Sequence, residues 1–249
     1  MVGRLLLRGM LVGLAAGILA FIFAHTFGEP MVDKAIAFEE ARSAAANEAA
    51  EPEIVSRAMQ ATLGLATGVL VFGAALGGIF SLVFAYVYGR VGKLSPRAMS
   101  AALAVFGFIA VIGAPFLKYP ANPPAVGNSE TIGMRTELFF VMIVASVLAM
   151  IVAVTVARKL IATRGAWNAS IIGGLVFIVL VAIAQVLLPT VNEVPENFSA
   201  TVLWQFRSAS LGIQLILWTV IGIGFGWLVD GELSGAKPRN HLRGQPATR

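Results

Sequence analysis

The sequence predicts an all-α integral membrane protein: a bundle of six transmembrane helices with an amphipathic outer-loop helix. Of its 249 residues, 58% are apolar and 12% are charged, and the mean hydropathy is +0.85. Soluble chains carry about 25% charged residues. Six stretches contain no Asp, Glu, Lys or Arg: 9–28, 58–89, 98–117, 138–157, 165–192 and 208–229. Each reaches the roughly 18–20 residues that a helix needs to cross a bilayer. The longest segment between them, 29–57, has 29 residues, and the chain has no Cys. A two-domain soluble enzyme and a secreted disulfide scaffold are thereby excluded. The single membrane domain covers 1–249, with spans near 5–27, 60–88, 98–117, 137–157, 167–188 and 208–229, an acidic outer loop or helix at 29–57 and a polar cytoplasmic tail at 230–249.

The basic residues order these spans. One side collects Arg4, Arg8, Arg90, Lys93, Arg97, Arg158, Lys159, Arg164, Lys237, Arg239, Arg243 and Arg249; the other collects Lys34, Arg42, Arg57, Lys118, Arg135 and Arg207. Cytoplasmic loops carry the basic excess, so both termini are expected inside. The net charge of +5 therefore reads as orientation in a membrane and not as nucleic-acid binding. Acids mostly take the outer side, among them Glu29, Asp33, Glu39, Glu40, Glu48, Glu51 and Glu53 in the first loop.

Arg4 and Arg8 before an apolar run also describe a secretory signal. No small-x-small cleavage site is evident near Phe23 to Gly28, so the first span is expected to be retained. The second run, 32 residues long, exceeds what a bilayer requires and should tilt or project outward. Gly9, Gly13 and Gly17 fall on one helical face, as do Gly64 with Gly68 and Gly73 with Gly77; Gly222, Gly224 and Gly226 crowd the last span. Small residues at this spacing let helices approach closely in lipid, so these glycines are expected either to pack the bundle or to line a pore with backbone.

Chemistry is expected in the outer loops. Residues 31–60 read as an amphipathic helix interrupted at Pro52, with Asp33, Ala37 and Glu40 along one face. Either this is a solvated surface helix or it is an acidic antechamber that concentrates cations. His25 and Glu29 are four apart, but Pro30 should bias Glu29 away from helical geometry. In the second loop, Pro120, Pro123 and Pro124 restrict the backbone and leave carbonyls that either solvate a cation or face water. The third loop carries Glu193 and Glu196 around Pro195, and Trp204 with Arg207 reads as an interfacial anchor. His241 sits in the polar tail.

Absent motifs narrow the chemistry. There is no phosphate-binding GxxxxGK[ST], HExxH or CxxC, which argues against an intrinsic ATPase, a membrane metalloprotease or a haem protein. No carboxylate lies deep in a span, so proton coupling is not expected. No nucleophile–base pair can be read, and no enzymatic activity is expected.

The loop segments FGEPMVDKAIAFEEA, GAPFLKYPANPPAVGNSETIGMRT and LPTVNEVPENF, with the following WQFRSASLGIQL, resemble the CbtA family of predicted cobalt transporter subunits. The resemblance runs over essentially the whole chain. It implies a multi-pass inner-membrane protein of bacteria or archaea, linked to cobalamin biosynthesis and importing cobalt. It also implies a partner, a small single-span CbtB-type subunit with a His-rich end. That family is usually described with five spans, whereas six runs are counted here.

Co²⁺ is then the expected transported ion, with no permanently bound cofactor, driven by the membrane potential or dependent on the partner. His25, Glu29, Asn122, Glu130, Glu193 and Glu196 are the candidate metal ligands where the loops converge, and Asp33, Glu39 and Glu40 the outer electrostatic attractor. The alternative is a non-transporting scaffold that docks a partner through the acidic loop. Lipid is the surrounding medium, no nucleic acid is expected, and a homo-oligomer stays open.

Overall fold

The computed structural model describes residues 2–47 and 54–234. Glu48, Glu51, Pro52, Glu53 and His241 lie outside the described residues. Among the described residues, five helices are long and apolar enough to cross a membrane: α1 (Val2–Ala45), α2 (Arg57–Val87), α3 (Pro96–Lys118), α4 (Ser129–Leu187) and α5 (Ala200–Leu233).

The six apolar runs become five helical stretches because α4 takes up two of them. A straight α4 would extend well beyond 80 Å at about 1.5 Å per residue, against roughly 30 Å of hydrocarbon. It is not straight. Gly165 has φ 74° and ψ 162° in the middle of it, a left-handed conformation that favours glycine, and the helix folds back there. Beyond the fold Gly173 lies against the first arm: a Cβ on it would stand 2.9 Å from the Ala157 Cβ and 3.0 Å from the Ala153 carbonyl oxygen. Met142 and Ala149 of the first arm share a buried cluster with Val181 of the second.

The expected separate outer-loop helix is instead the continuation of the first span. α1 runs without a break through Glu29 and Pro30 to Ala45, and helix resumes at Arg57. Glu29 is helical, with φ −57° and ψ −40°, contrary to the bias expected from Pro30. The reason lies one turn earlier, where residues Ala24–Gly28 form a π-helical turn. Proline clashes with the carbonyl four residues before it and cannot donate to it; the wider turn absorbs both defects. The same arrangement recurs in α3, where a π-helical turn at Phe108–Gly113 precedes Pro115. There the side chains of a neighbouring helix take up the displaced carbonyls: the Ser146 hydroxyl donates to Ala110 O, and Gln185 Nε2 donates to Ala114 O at 3.4 Å.

α1 and α2 are antiparallel and touch backbone to backbone. A Cβ on Gly13 would fall 2.1 Å from the Gly73 carbonyl oxygen, and one on Gly77 would fall 2.1 Å from that of Gly9. Gly17 meets Leu70 in the next layer. Gly9, Gly13, Gly17, Gly73 and Gly77 therefore pack as their spacing suggests. Gly64 and Gly68 do not: a Cβ on Gly68 meets nothing within 4 Å among the described residues, and one on Gly64 meets only its own helix, at 3.6 Å. Gly68 precedes Gly73 by five residues, about 140° around an α-helix, so it faces away from α1.

α5 runs through the middle of the bundle. Leu217, Trp218, Ile221 and Phe225 are buried with Phe80 and Phe84 of α2 and with Met99 and Ala104 of α3. The buried Ser100 hydroxyl donates to Gly222 O at 2.6 Å, and Trp218 lies over Gly107, where a Cβ would meet the ring at 2.3 Å. At the end of the bundle that holds Val2 and Ser234, α5 is tied by charge. Glu232 pairs with Arg4 at 3.1 Å and with Arg8, while Asp230 pairs with Arg97 at 2.9 Å.

The glycine contact yields a contrast between two conservative changes. Gly77→Ala is expected to lower stability by at least about 2 kcal/mol, toward the upper part of the overpacking range, because the obstructing atoms are backbone. Gly68→Ala should be neutral within about 0.5 kcal/mol. Thermal unfolding of the purified chain in detergent, run side by side on the two variants, checks this.

Candidate functional site

At the end of the bundle opposite Val2 and Ser234, the second and third loops enclose a cleft of about 740 Å³ that descends between α3, the start of α4 and α5. Local turns set its mouth. Pro123 O accepts from Val126 N at 3.3 Å, Pro195 O accepts from Phe198 N at 3.0 Å, and Asn128 caps the 3₁₀ turn at Ser129–Thr131 through its side-chain oxygen. Phe198 and Val126 are buried against Ala35, and Phe38 meets Phe198 edge-on with centroids 5.1 Å apart. The extension of α1 past the π turn thus holds the loops in place.

Glu193 joins the two loops. Its carboxylate accepts from Asn128 N at 2.7 Å and lies 3.5 Å from Arg135 Nε, while Arg135 also donates to Asn128 O at 3.1 Å. The Thr131 hydroxyl, shared between Glu193 and the Asn128 carbonyl, is the largest influence holding the Glu193 carboxyl below its usual range, followed by the Asn128 N–H and then Arg135 against the opposing effect of burial. Gly127, at φ 129°, admits the guanidinium: a Cβ there would stand 2.3 Å from Arg135 Nη1. On the other flank, Tyr119 donates to Pro189 O at 2.7 Å and Lys118 donates to Thr190 at 2.9 Å. Burial pushes the Tyr119 phenol up, so it stays a neutral donor.

Asn122 lines the cleft beside Glu193, but its side-chain oxygen accepts from Arg207 Nη2 at 2.8 Å. Arg207 Nε also donates to Ala121 O at 3.3 Å, so a proline-loop carbonyl expected to meet a cation or water meets a guanidinium. Arg207 is thus held against the second loop, whereas Trp204, one turn earlier, is 72% exposed. Glu130 and Glu196 are both exposed on the loops outside the cleft lining.

His25 and Glu29 stand elsewhere, on the face of α1 that meets the start of α2. His25 Nδ1 lies 3.1 Å from Ala61 O, and its ring stacks on Phe21. Glu29 is paired with Arg57, which also holds Asp33 at 2.9 Å. Glu39 and Glu40 are exposed farther along the same helix. Among the described residues, no three His, Asp or Glu side chains gather closely enough to hold a metal ion.

Sequence reasoning missed the inner wall of the cleft. Arg207, Ser210 and Gln214 lie three and seven residues apart on one face of α5, and all three line it. The Gln214 side-chain oxygen is buried and has no hydrogen-bond partner among the described residues. A polar stripe at helical spacing entering an otherwise apolar span was the available signal.

Five long apolar helices among the described residues, three of them bordering a loop-lined cleft, define a polytopic α-helical membrane protein. A family model described as "Probable cobalt transporter subunit (CbtA)" matches residues 2–230, and the chain belongs to that family. The family is one of transporter subunits and not of enzymes. No curated protein and no solved structure matches the chain.

The Glu193 clasp has a pH signature. Its folded-state pKa is depressed, so its contribution is fully present above the unfolded carboxylate value of about 4.3 and is lost as pH falls through the lower folded value. Glu193→Gln is expected to lower the unfolding temperature at neutral pH. The gap from the unaltered protein should narrow as the pH is taken from about 5 to about 3, measured as paired melting curves.

Proposed function

We propose that this chain is the membrane-spanning subunit through which Co²⁺ is taken up, and that the metal enters by the loop-lined cleft. The observation that carries this reading is the Gln214 oxygen on the wall of that cleft, buried and unpartnered among the described residues. A polar oxygen left unpaired inside a membrane domain is costly. As a hard donor it suits a divalent cation that has shed water.

The fold-back at Gly165 supports six crossings, one for each apolar run, with Val2 and Ser234 on one side. The excess of Lys and Arg on that side supports cytoplasmic termini in the inner membrane of a bacterium or archaeon. Each elementary charge moving across 100 mV gains about 2.3 kcal/mol, so a divalent ion gains about 4.6 kcal/mol without nucleotide hydrolysis. Selectivity needs help, since N/O ligands favour Ni²⁺ and Cu²⁺ over Co²⁺. The small His-rich CbtB-type subunit would supply it, and the imported metal would serve cobalamin biosynthesis.

In this reading Glu193 and Glu29 become metal ligands only after exchange, and Asp33 attracts the ion only in part, because Arg135 and Arg57 hold them. That pairing is also what a scaffold would show, with exposed Glu39 and Glu40 as its docking face.

Uptake of radiolabelled Co²⁺ into proteoliposomes under an inside-negative potential separates the two, run with and without the small subunit. Uptake is expected, and Gln214→Leu, which keeps the volume and removes the oxygen, should reduce it at least tenfold with the fold intact. Uptake unchanged by Gln214→Leu would remove the cleft from the route. No uptake under either condition would favour the scaffold.

A further inference from the structure

The charges that line the cleft do not suit a bare cation. Two guanidinium groups, Arg135 and Arg207, face one carboxylate, Glu193, and Arg135 and Glu193 are already paired with each other. That leaves the charge of Arg207, whose hydrogen-bond partners are the neutral oxygens of Ala121 and Asn122. A guanidinium offers five N–H donors, and these contacts use two of them. Partly buried cations with only neutral partners favour an anion, and Arg in particular presents a fork that matches carboxylate and phosphate oxygens.

Size points the same way. Small organic ligands occupy pockets of about 300–1,000 Å³, and the cleft encloses about 740 Å³. A metal ion with six waters needs roughly 180 Å³ at about 30 Å³ per water. Ile112, Phe116, Phe139 and Leu211 give the remaining space an apolar wall that a hydrated ion has no use for.

We propose that the cleft binds an organic oxyanion, its carboxylate or phosphate group on Arg207 and its carbon body against the apolar wall. Metal reaching Gln214 does so as a complex with this anion or beside it. This rests on the cleft being the entry vestibule. The oxyanion has two possible sources, a solute that carries the metal or a lipid headgroup, for which the exposed Trp204 one turn away marks the interface.

Calorimetric titration of the full chain in dodecyl maltoside tests the proposal, with citrate, with citrate plus equimolar Co²⁺, with CoCl₂ alone and with short-chain phosphatidylglycerol. Saturable citrate or cobalt–citrate binding is expected, weakened at least tenfold by Arg207→Gln and less by Arg207→Lys. Binding of phosphatidylglycerol but not of citrate, with the same dependence on Arg207, would establish the anion site and assign it to lipid. If neither anion binds, or both bind Arg207→Gln as tightly as the unaltered chain, the proposal fails. Gel filtration checks the fold of each variant; should Arg207→Gln not fold, Leu211→Trp fills the cleft from its apolar wall and is expected to abolish citrate binding. The uptake assay on Gln214→Leu reads the vestibule independently, so the two ideas can fail separately.

Discussion

The contact between α1 and α2 is one in which no side chain intervenes. Where Gly9 and Gly13 meet Gly77 and Gly73, carbonyl oxygens occupy the space that β-carbons would fill. In lipid, apolar side chains gain nothing by leaving their surroundings, so helices hold together through close packing and backbone dipoles. A contact made of backbone cannot slide by a fraction of a turn. Its register therefore propagates along both helices, and four-residue steps toward the loops bring His25 opposite Ala61 and Glu29 opposite Arg57. α5 then seats against the pair through Gly224 on Val12 and Gly212 under the Phe23 ring. The lateral position of the cleft follows, because its polar wall belongs to α5.

The loop end is acidic in composition, yet three of its carboxylates are already paired. Glu29, Asp33 and Glu193 each have an arginine beside them. A side-chain cation held against a carboxylate occupies the place that a diffusing metal would take. An arriving ion must compete with it and leave the displaced guanidinium a new partner, because breaking a desolvated pair strands one charge. An anion arriving with the metal offers such a partner. Exposed carboxylates at this end, among them Glu39 and Glu40 on the α1 extension and Glu130 and Glu196 on the loops, stand in solvent, where attraction is long-ranged and screened by salt.

Much of this was legible in the sequence, and the rest failed for physical reasons. Each of the five long apolar helices contains at least one charge-free run, because the cost of placing charge in hydrocarbon dominates composition. Small-xxx-small spacing located the Gly9–Gly77 contact but could not tell that Gly68 had rotated out of it, since spacing gives a face without saying which neighbour it meets. Pro30 read as a break because proline obstructs an α-helix; a π turn before it is invisible to pattern and removes the obstruction. Gly165 looks like any loop glycine until its positive φ makes it the corner of a hairpin. In the site, residue type pointed to carboxylates as ligands, while partner choice lay in three-dimensional placement. Arg207 read as an anchor together with Trp204, yet it is partly buried against the second loop while Trp204 is exposed.

The π turns of α1 and α2, Ala24–Gly28 and Gln60–Gly64, stand at the same level of the antiparallel pair. Each accommodates one residue more than an α-helix would over that rise. Since the helices run in opposite directions, the two extra residues cancel, and the pairing that begins at the glycines continues to Glu29 and Arg57 on the far side. The lengths of the two helices are therefore not independently variable. Removing one residue from either turn alone would rotate everything beyond it by about 100° and part Glu29 from Arg57. Removing one from each would restore the match. Insertions and deletions along this pair should be inherited together, as a joint change in two segments of the chain more than thirty positions apart.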